Sequence, residues 1–172
     1  MIGGPYEIHY PEPEFVDPKI PMRLLCRKSL SANVHELKDN WFRVTLNGIR
    51  FYEQMFSTPY PFDKLDQVFC PDYRMGAMEN VGNITYNDEY VPRDEKPTRI
   101  KTEYIYNTIL HEVSHMWFGN LVTMQWWDDL WLNESFANMI SYICMDEAKG
   151  LEDITLAWNI FLDENFWGLS ED

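Results

Sequence analysis

The chain has 172 residues, about one domain's worth, and a chain of this size buries roughly 70% of the surface its unfolded form exposes. A composition of 45% hydrophobic and 16% aromatic residues excludes a disordered polymer. The excess of 28 acidic over 14 basic residues gives a net charge of −14, which repels phosphate backbones and anionic membrane surfaces, so no nucleic-acid partner is expected.

The N-terminal stretch MIGGPYEIHYPEPEF has neither a basic start nor a continuous apolar segment, and no run in the chain approaches the length needed to cross a bilayer. Neither a signal peptide nor a membrane segment is expected. The first 25 residues are rich in proline and read as extended chain or strand. Over residues 31–56 the positions Val34, Leu37, Trp41, Val44, Ile49, Tyr52 and Phe56 recur at mostly three-to-four spacing, which predicts an amphipathic helix that ends at the two prolines of STPYPF. KLDQVFCPDY and NITYNDEYV then predict strands, joined by the glycine-containing loop RMGAMENVG. After the charged loop PRDEKPTR, a helix is expected over 101–118, with Ile105, Ile109, Val113 and Trp117 as its apolar stripe and Gly119 as its stop. A second helix is expected over 129–149 and a third over 151–166. Mixed strands first and helices second predict an α+β fold. The three cysteines, Cys26, Cys70 and Cys144, are too few and too scattered for a disulfide framework and suggest a reducing, cytoplasmic setting. Sequons at Asn83 and Asn133 are of a kind common by chance.

The chemistry concentrates in ILHEVSHMWFGN, residues 109–120, which holds two of the four histidines. In a helix, positions 111 and 115 lie about 40° apart and about 6 Å along the axis, so both imidazoles reach one ion. Glu112 lies one step round, where a carboxylate sits beside that ion without binding it. This is the HExxH pattern of two zinc ligands and a general base; the competing reading is two helix histidines satisfied by ordinary hydrogen bonds. A catalytic zinc needs a third protein ligand and one open position. His9 and His35 lie far upstream without partner spacing, and no third histidine follows closely after His115. A carboxylate on the next helix is the remaining source. Glu134, in WLNESFA, follows His115 after 18 intervening residues, enough for a crossover and antiparallel return. Its tryptophan-rich setting, WWDDLWLNESFANMI, predicts a buried carboxylate whose charge a cation would offset. Core packing is the expected main role of Trp117, Trp126, Trp127 and Trp131.

HEVSHMWFGNLVTMQWWDDLWLNESFA resembles the zinc signature of the gluzincin aminopeptidases, the family of aminopeptidase N, and MGAMENVGNITY resembles that family's GxMEN signature. The likeness covers most of residues 20–150. It implies a thermolysin-like zincin catalytic domain with one zinc ion on His111, His115 and Glu134, and Glu112 as general base. It further implies Gly76, Ala77, Met78, Glu79 and Asn80 as substrate-binding residues. Glu79 would pair with the free α-amino group, and the edge 76–78 would take the substrate backbone as an added strand. Asn133 would orient a ligand from behind. The implied substrates are peptides with a free N-terminus. Met75 stands where it would border the first side-chain pocket, although packing explains a methionine equally well.

The chain departs from the family in one respect that bears on rate. Members use a tyrosine, well downstream of the third ligand, to stabilise the oxyanion; here the only tyrosine after Glu134 is Tyr142, two turns along the same expected helix. The resemblance, to a family whose members carry a large β-rich domain ahead of the catalytic one, further implies a remnant of that β-rich N-terminal domain over 1–25 and a partial, truncated catalytic domain over 26–172. The alternative function is a catalytically impaired zinc-binding fragment.

Overall fold

In the computed structural model, which describes residues 3–93 and 96–170, two strands precede the first helix: β1 (Tyr6–His9) and β2 (Met22–Arg27). Helix α1 (Ser31–Phe56) follows with the expected bounds. Its spaced apolar residues Val34, Trp41, Val44, Ile49 and Tyr52 are buried, while Leu37 and Phe56 pack against the core from its margin. The helix stops because Ser57 turns left-handed at φ 50, and its N–H then caps the carbonyls of Gln54 and Glu53. Pro59 and Pro61 prevent resumption.

Strands β3 (Leu65–Cys70), β4 (Ala77–Met78) and β5 (Asn83–Asn87) complete a five-stranded sheet in the order β1-β2-β3-β5-β4. β2, β3 and β5 are parallel to one another; β1 and β4 run antiparallel at the two edges. The burial of β3 from Leu65 through Phe69 follows from its place between two parallel neighbours, whereas β2 alternates, with Met22, Leu24 and Cys26 inward. Residues 25 and 26 both lie inside β2, which pairs with β1 on one side and β3 on the other. The loop expected between the two sequence-derived strands contributes β4, and the C-terminal part of NITYNDEYV turns into a 3₁₀ segment at Asp88–Tyr90.

A buried polar junction ties α1 to the sheet: Gln67 Oε1 accepts from Trp41 Nε1 (2.8 Å) and from the Tyr86 hydroxyl (3.0 Å), and Gln67 Nε2 donates to Thr45 Oγ1 (3.1 Å). Every polar atom of that side chain's end has a partner, which is the condition for a glutamine with no exposure.

Three helices follow: α2 (Arg99–Ser114), α3 (Glu134–Glu147) and α4 (Ala157–Ser170). α2 packs on α1, with Gly48 at the crossing: a Cβ there would lie 2.4 Å from Leu110 Cδ2. The helix expected over 101–118 ends four residues early, at Ser114. The one expected over 129–149 is a 3₁₀ segment at Trp127–Leu132, broken by Asp129 (φ −102, ψ 20), followed by α3. The third begins at Ala157, not 151, because Gly150 (φ 83) reverses the chain and the buried Glu103 carboxylate of α2 accepts from the N–H groups of Thr155 (3.1 Å) and Leu156 (2.7 Å). A partner on another helix thus decides where α4 starts. Mixed sheet and helices make this an α+β fold. No helix among the described residues is long and apolar enough to cross a membrane.

Candidate metal centre

α2 is capped at its start by Thr98, whose hydroxyl accepts from Lys101 N, and carries His111 in its last turn. His115 lies one residue beyond the helix but keeps near-helical angles (φ −60, ψ −19), and its N–H still reaches His111 O at 3.3 Å. The two rings therefore stay on one face, nearly perpendicular at 85°, with their Nε2 atoms 3.0 Å apart. His115 Nδ1 lies 2.9 Å from Phe118 O. A carbonyl only accepts, so Nδ1 is the donor there and Nε2 is the nitrogen turned toward the site, able to give its lone pair to an ion once it carries no proton.

Glu134, the first residue of α3, places Oε2 at 3.6 Å from His111 Nε2 and 3.7 Å from His115 Nε2. Among the described residues these three form the one convergent group of His, Cys, Asp or Glu donors, all ligand atoms within 4.8 Å of one another. A triangle with sides of 3.0, 3.6 and 3.7 Å has a centre about 2 Å from each corner, which matches zinc's distances to imidazole nitrogen and carboxylate oxygen. Two nitrogens and one carboxylate oxygen are also a donor set that zinc takes in catalytic sites. The residues present fit the ion.

Contrary to the sequence expectation, the Glu134 side chain is 51% exposed. It stands at the mouth of α3, where the helix dipole favours a carboxylate, and it does not depend on burial. The neighbouring His111 and His115 imidazoles hold its carboxyl well below the usual carboxylate range, against an opposing effect of partial burial. Burial by itself would lower His115, but Glu134, Glu79, the Phe118 carbonyl and Glu112 together raise it to about 9.

Glu112 is buried, and its Oε2 has no hydrogen-bond partner. Burial pushes its carboxyl up to about 8; neighbouring Glu79 and Glu134 add to the rise and His115 opposes it. An orphaned carboxylate oxygen in such surroundings is a mark of functional sites.

The segment Gly76 to Asn80 forms the far edge of the sheet and the turn after it. Ala77 and Met78 pair with Tyr86 and Thr85 of β5, and Gly76 O accepts from Asn87 N at 2.9 Å. Asn80 closes the hairpin, its Nδ2 3.2 Å from Thr85 Oγ1 and its carbonyl accepting from Asn83 N. Glu79 points back toward the triad: its Oε1 lies 3.5 Å from Asn133 Nδ2, which also donates to Glu134 Oε1 at 3.1 Å. Asn133 thus bridges the two carboxylates. Met75, 58% exposed, adjoins this edge.

Of the four tryptophans expected in the core, Trp117 alone is there, donating to Thr58 O at 3.0 Å. Trp126, Trp127 and Trp131 are 66%, 69% and 57% exposed, because the 3₁₀ segment that carries the last two buries none of its residues. Tyr142 is fully buried, and its hydroxyl donates to Glu164 of α4.

Two residues of the site escaped the sequence reading. Gly119, expected only to stop a helix, has φ +123, and a Cβ on it would lie 2.4 Å from Asn133 Oδ1 and 3.3 Å from His115 Nδ1. Asn120 donates from Nδ2 to Glu79 O at 2.7 Å, joining the turn after His115 to the sheet edge. The Gly-Asn pair was legible as a turn signal, but not as a support for the site.

Residues 40–172 match the Peptidase family M1 domain. Aminopeptidase N of Streptomyces lividans is 40% identical over 173 residues, covering 100% of this chain and 20% of that protein. Aminopeptidase N of Lactococcus lactis subsp. cremoris (strain MG1363) is 46% identical over 119 residues, 69% of this chain and 13% of that protein. Aminopeptidase M1-D of Oryza sativa subsp. japonica is 43% identical over 130 residues, 75% of this chain and 14% of that protein. The chain spans a fifth or less of the length of these curated relatives.

Proposed function

The chain belongs to peptidase family M1, and from that membership we propose that it carries the reaction centre of a zinc-dependent aminopeptidase, which releases the first residue of peptides with a free N-terminus. A thermolysin-like arrangement of the catalytic domain is part of the proposal, supported by the mixed sheet lying beside two helices that share a donor triad. The observation that carries it is the triangle of His111 Nε2, His115 Nε2 and Glu134 Oε2, sized for one ion, with Glu112, whose buried Oε2 has no hydrogen-bond partner, one residue from His111.

Zinc in that triangle would supply Lewis acidity, polarising the scissile carbonyl and making a water a better nucleophile at neutral pH. Glu112 accepts the attacking water's proton and returns it to the leaving amine. A cation beside Glu112 opposes the rise that burial imposes on its carboxyl, keeping it ionised for the first of these transfers. Glu79 pairs with the substrate's α-ammonium, so only a peptide whose first residue is free seats its first peptide bond at the triad. The outer side of β4, unpaired among the described residues, receives the substrate backbone as a further strand.

The test is to load the chain with zinc, determine metal per molecule, and assay an aminoacyl anilide beside its N-acetylated form. One zinc per chain and cleavage of the free-amine substrate are expected. A folded chain that takes up no zinc, or one that cleaves both substrates equally, rejects the proposal.

A further inference from the structure

We propose that Asn120 is a positioning residue that sets the separation between the Glu79 carboxylate and the His111, His115 and Glu134 triad; the inference rests on the aminopeptidase reading above. Glu79 and the triad belong to different parts of the fold, a sheet edge and two helix ends. An exopeptidase needs that separation held, because it must match the span from a substrate's α-amino group to its first peptide bond.

Asn120 connects the two parts directly. Its Nδ2 donates to Glu79 O at 2.7 Å and lies 3.6 Å from Met116 Sδ. Its own N–H donates to His115 O at 3.0 Å, so one half-buried residue bonds to the main chain of both Glu79 and His115. The turn that presents it is closed: Leu121 N donates to Met116 O (3.2 Å), Val122 N to Trp117 O (3.0 Å) and Gly119 N to Val122 O (2.8 Å). Asn120 therefore cannot yield without moving the segment that orients the His115 ring. Asn133 meets the Glu79 carboxylate only at 3.5 Å, near the outer limit of a hydrogen bond, and it leaves the backbone of Glu79 untouched. The shorter bond is the one to Asn120.

Asn120→Asp keeps the size of the side chain and replaces its donor with an oxygen facing the Glu79 carbonyl; Asn120→Ala removes the contact. The probes are leucine hydroxamate and its N-acetyl form, titrated by calorimetry on the zinc-loaded chain, together with amide exchange at residues 78–80. In both variants the free-amine hydroxamate is expected to lose about tenfold in affinity, the scale of a charge-assisted hydrogen bond made imperfect. The N-acetyl form and the zinc content are expected to stay unchanged, and exchange at 78–80 to quicken. Equal losses for both hydroxamates, loss of zinc, unchanged exchange, or failure of both variants to fold would overturn the positioning role. Wild-type chain that binds the two hydroxamates alike would overturn the aminopeptidase reading itself, whereas discrimination kept intact in the variants would overturn only the role of Asn120.

Discussion

The Tyr52 hydroxyl, buried in α1, donates to the carbonyl of Leu110 at 3.0 Å, one residue before the first histidine of the triad. The Tyr52 ring also packs against Phe51, Phe56 and Trp117, so the longest helix grips the site-bearing helix through both a hydrogen bond and an aromatic cluster. Tyr52→Phe keeps the ring and removes the donor. A loss of about 1 kcal/mol is expected, visible as a lower urea midpoint at unchanged slope. An unmoved midpoint would mean the bond adds nothing net.

Gly119→Ala is expected to damage the site more than its size suggests. The left-handed φ of +123 strains any Cβ, and the added carbon would meet Asn133 Oδ1 at 2.4 Å and His115 Nδ1 at 3.3 Å. Strain of this kind costs about 1 to 3 kcal/mol. Disturbing the bond that orients His115 should weaken zinc binding roughly 10- to 100-fold, measured by competition with a chelator. Wild-type zinc affinity in the variant would show that the turn does not orient the ligand.

Glu112→Gln separates metal binding from proton transfer, since the amide is isosteric and lies outside the donor triangle. Zinc content is expected to stay at one per chain while turnover falls at least about 100-fold. Hydrolysis that survives the change would remove Glu112 from the proposed mechanism.

Acid sensitivity is expected to have a contribution from Asp66 in β3. Burial works to raise its carboxyl, but Arg23, bonded through Nε (2.7 Å) and Nη2 (2.6 Å), and Lys64 outweigh it and hold the group below its ordinary value. A depressed folded-state value stabilises the fold above the unfolded value, about 3.9, and that contribution is lost as pH falls through the folded value. Asp66→Asn should therefore destabilise the chain at pH 7 and flatten the decline in stability below about pH 4, followed by denaturant titration across pH. Parallel curves for wild type and variant would exclude this linkage.

Features set by local pattern were legible in the residue order. Three-to-four spacing from Val34 to Phe56, closed by Pro59 and Pro61, predicts α1 with its observed bounds, and the apolar runs around Val68 and Ile84 mark two of the parallel strands. Features that depend on a distant partner were not. The start of α4 is decided by Glu103 on another helix, and Trp126, Trp127 and Trp131 face outward although their composition reads as core, because an aromatic residue carries no local mark of which side its segment will bury.

At the site the same division holds. Four-residue spacing on a helix obliges the His111 and His115 rings to share a face, so the residue order alone determined that pair and made a following carboxylate such as Glu134 the natural third donor. Only the tertiary structure decided that Glu134 meets them from an exposed helix start, that Gly119 leaves room for Asn133, and that Asn120 reaches Glu79 across 41 residues. Periodicity governs neighbours along one element, whereas contacts between elements depend on how whole helices and strands pack, and that is a property of the assembled core.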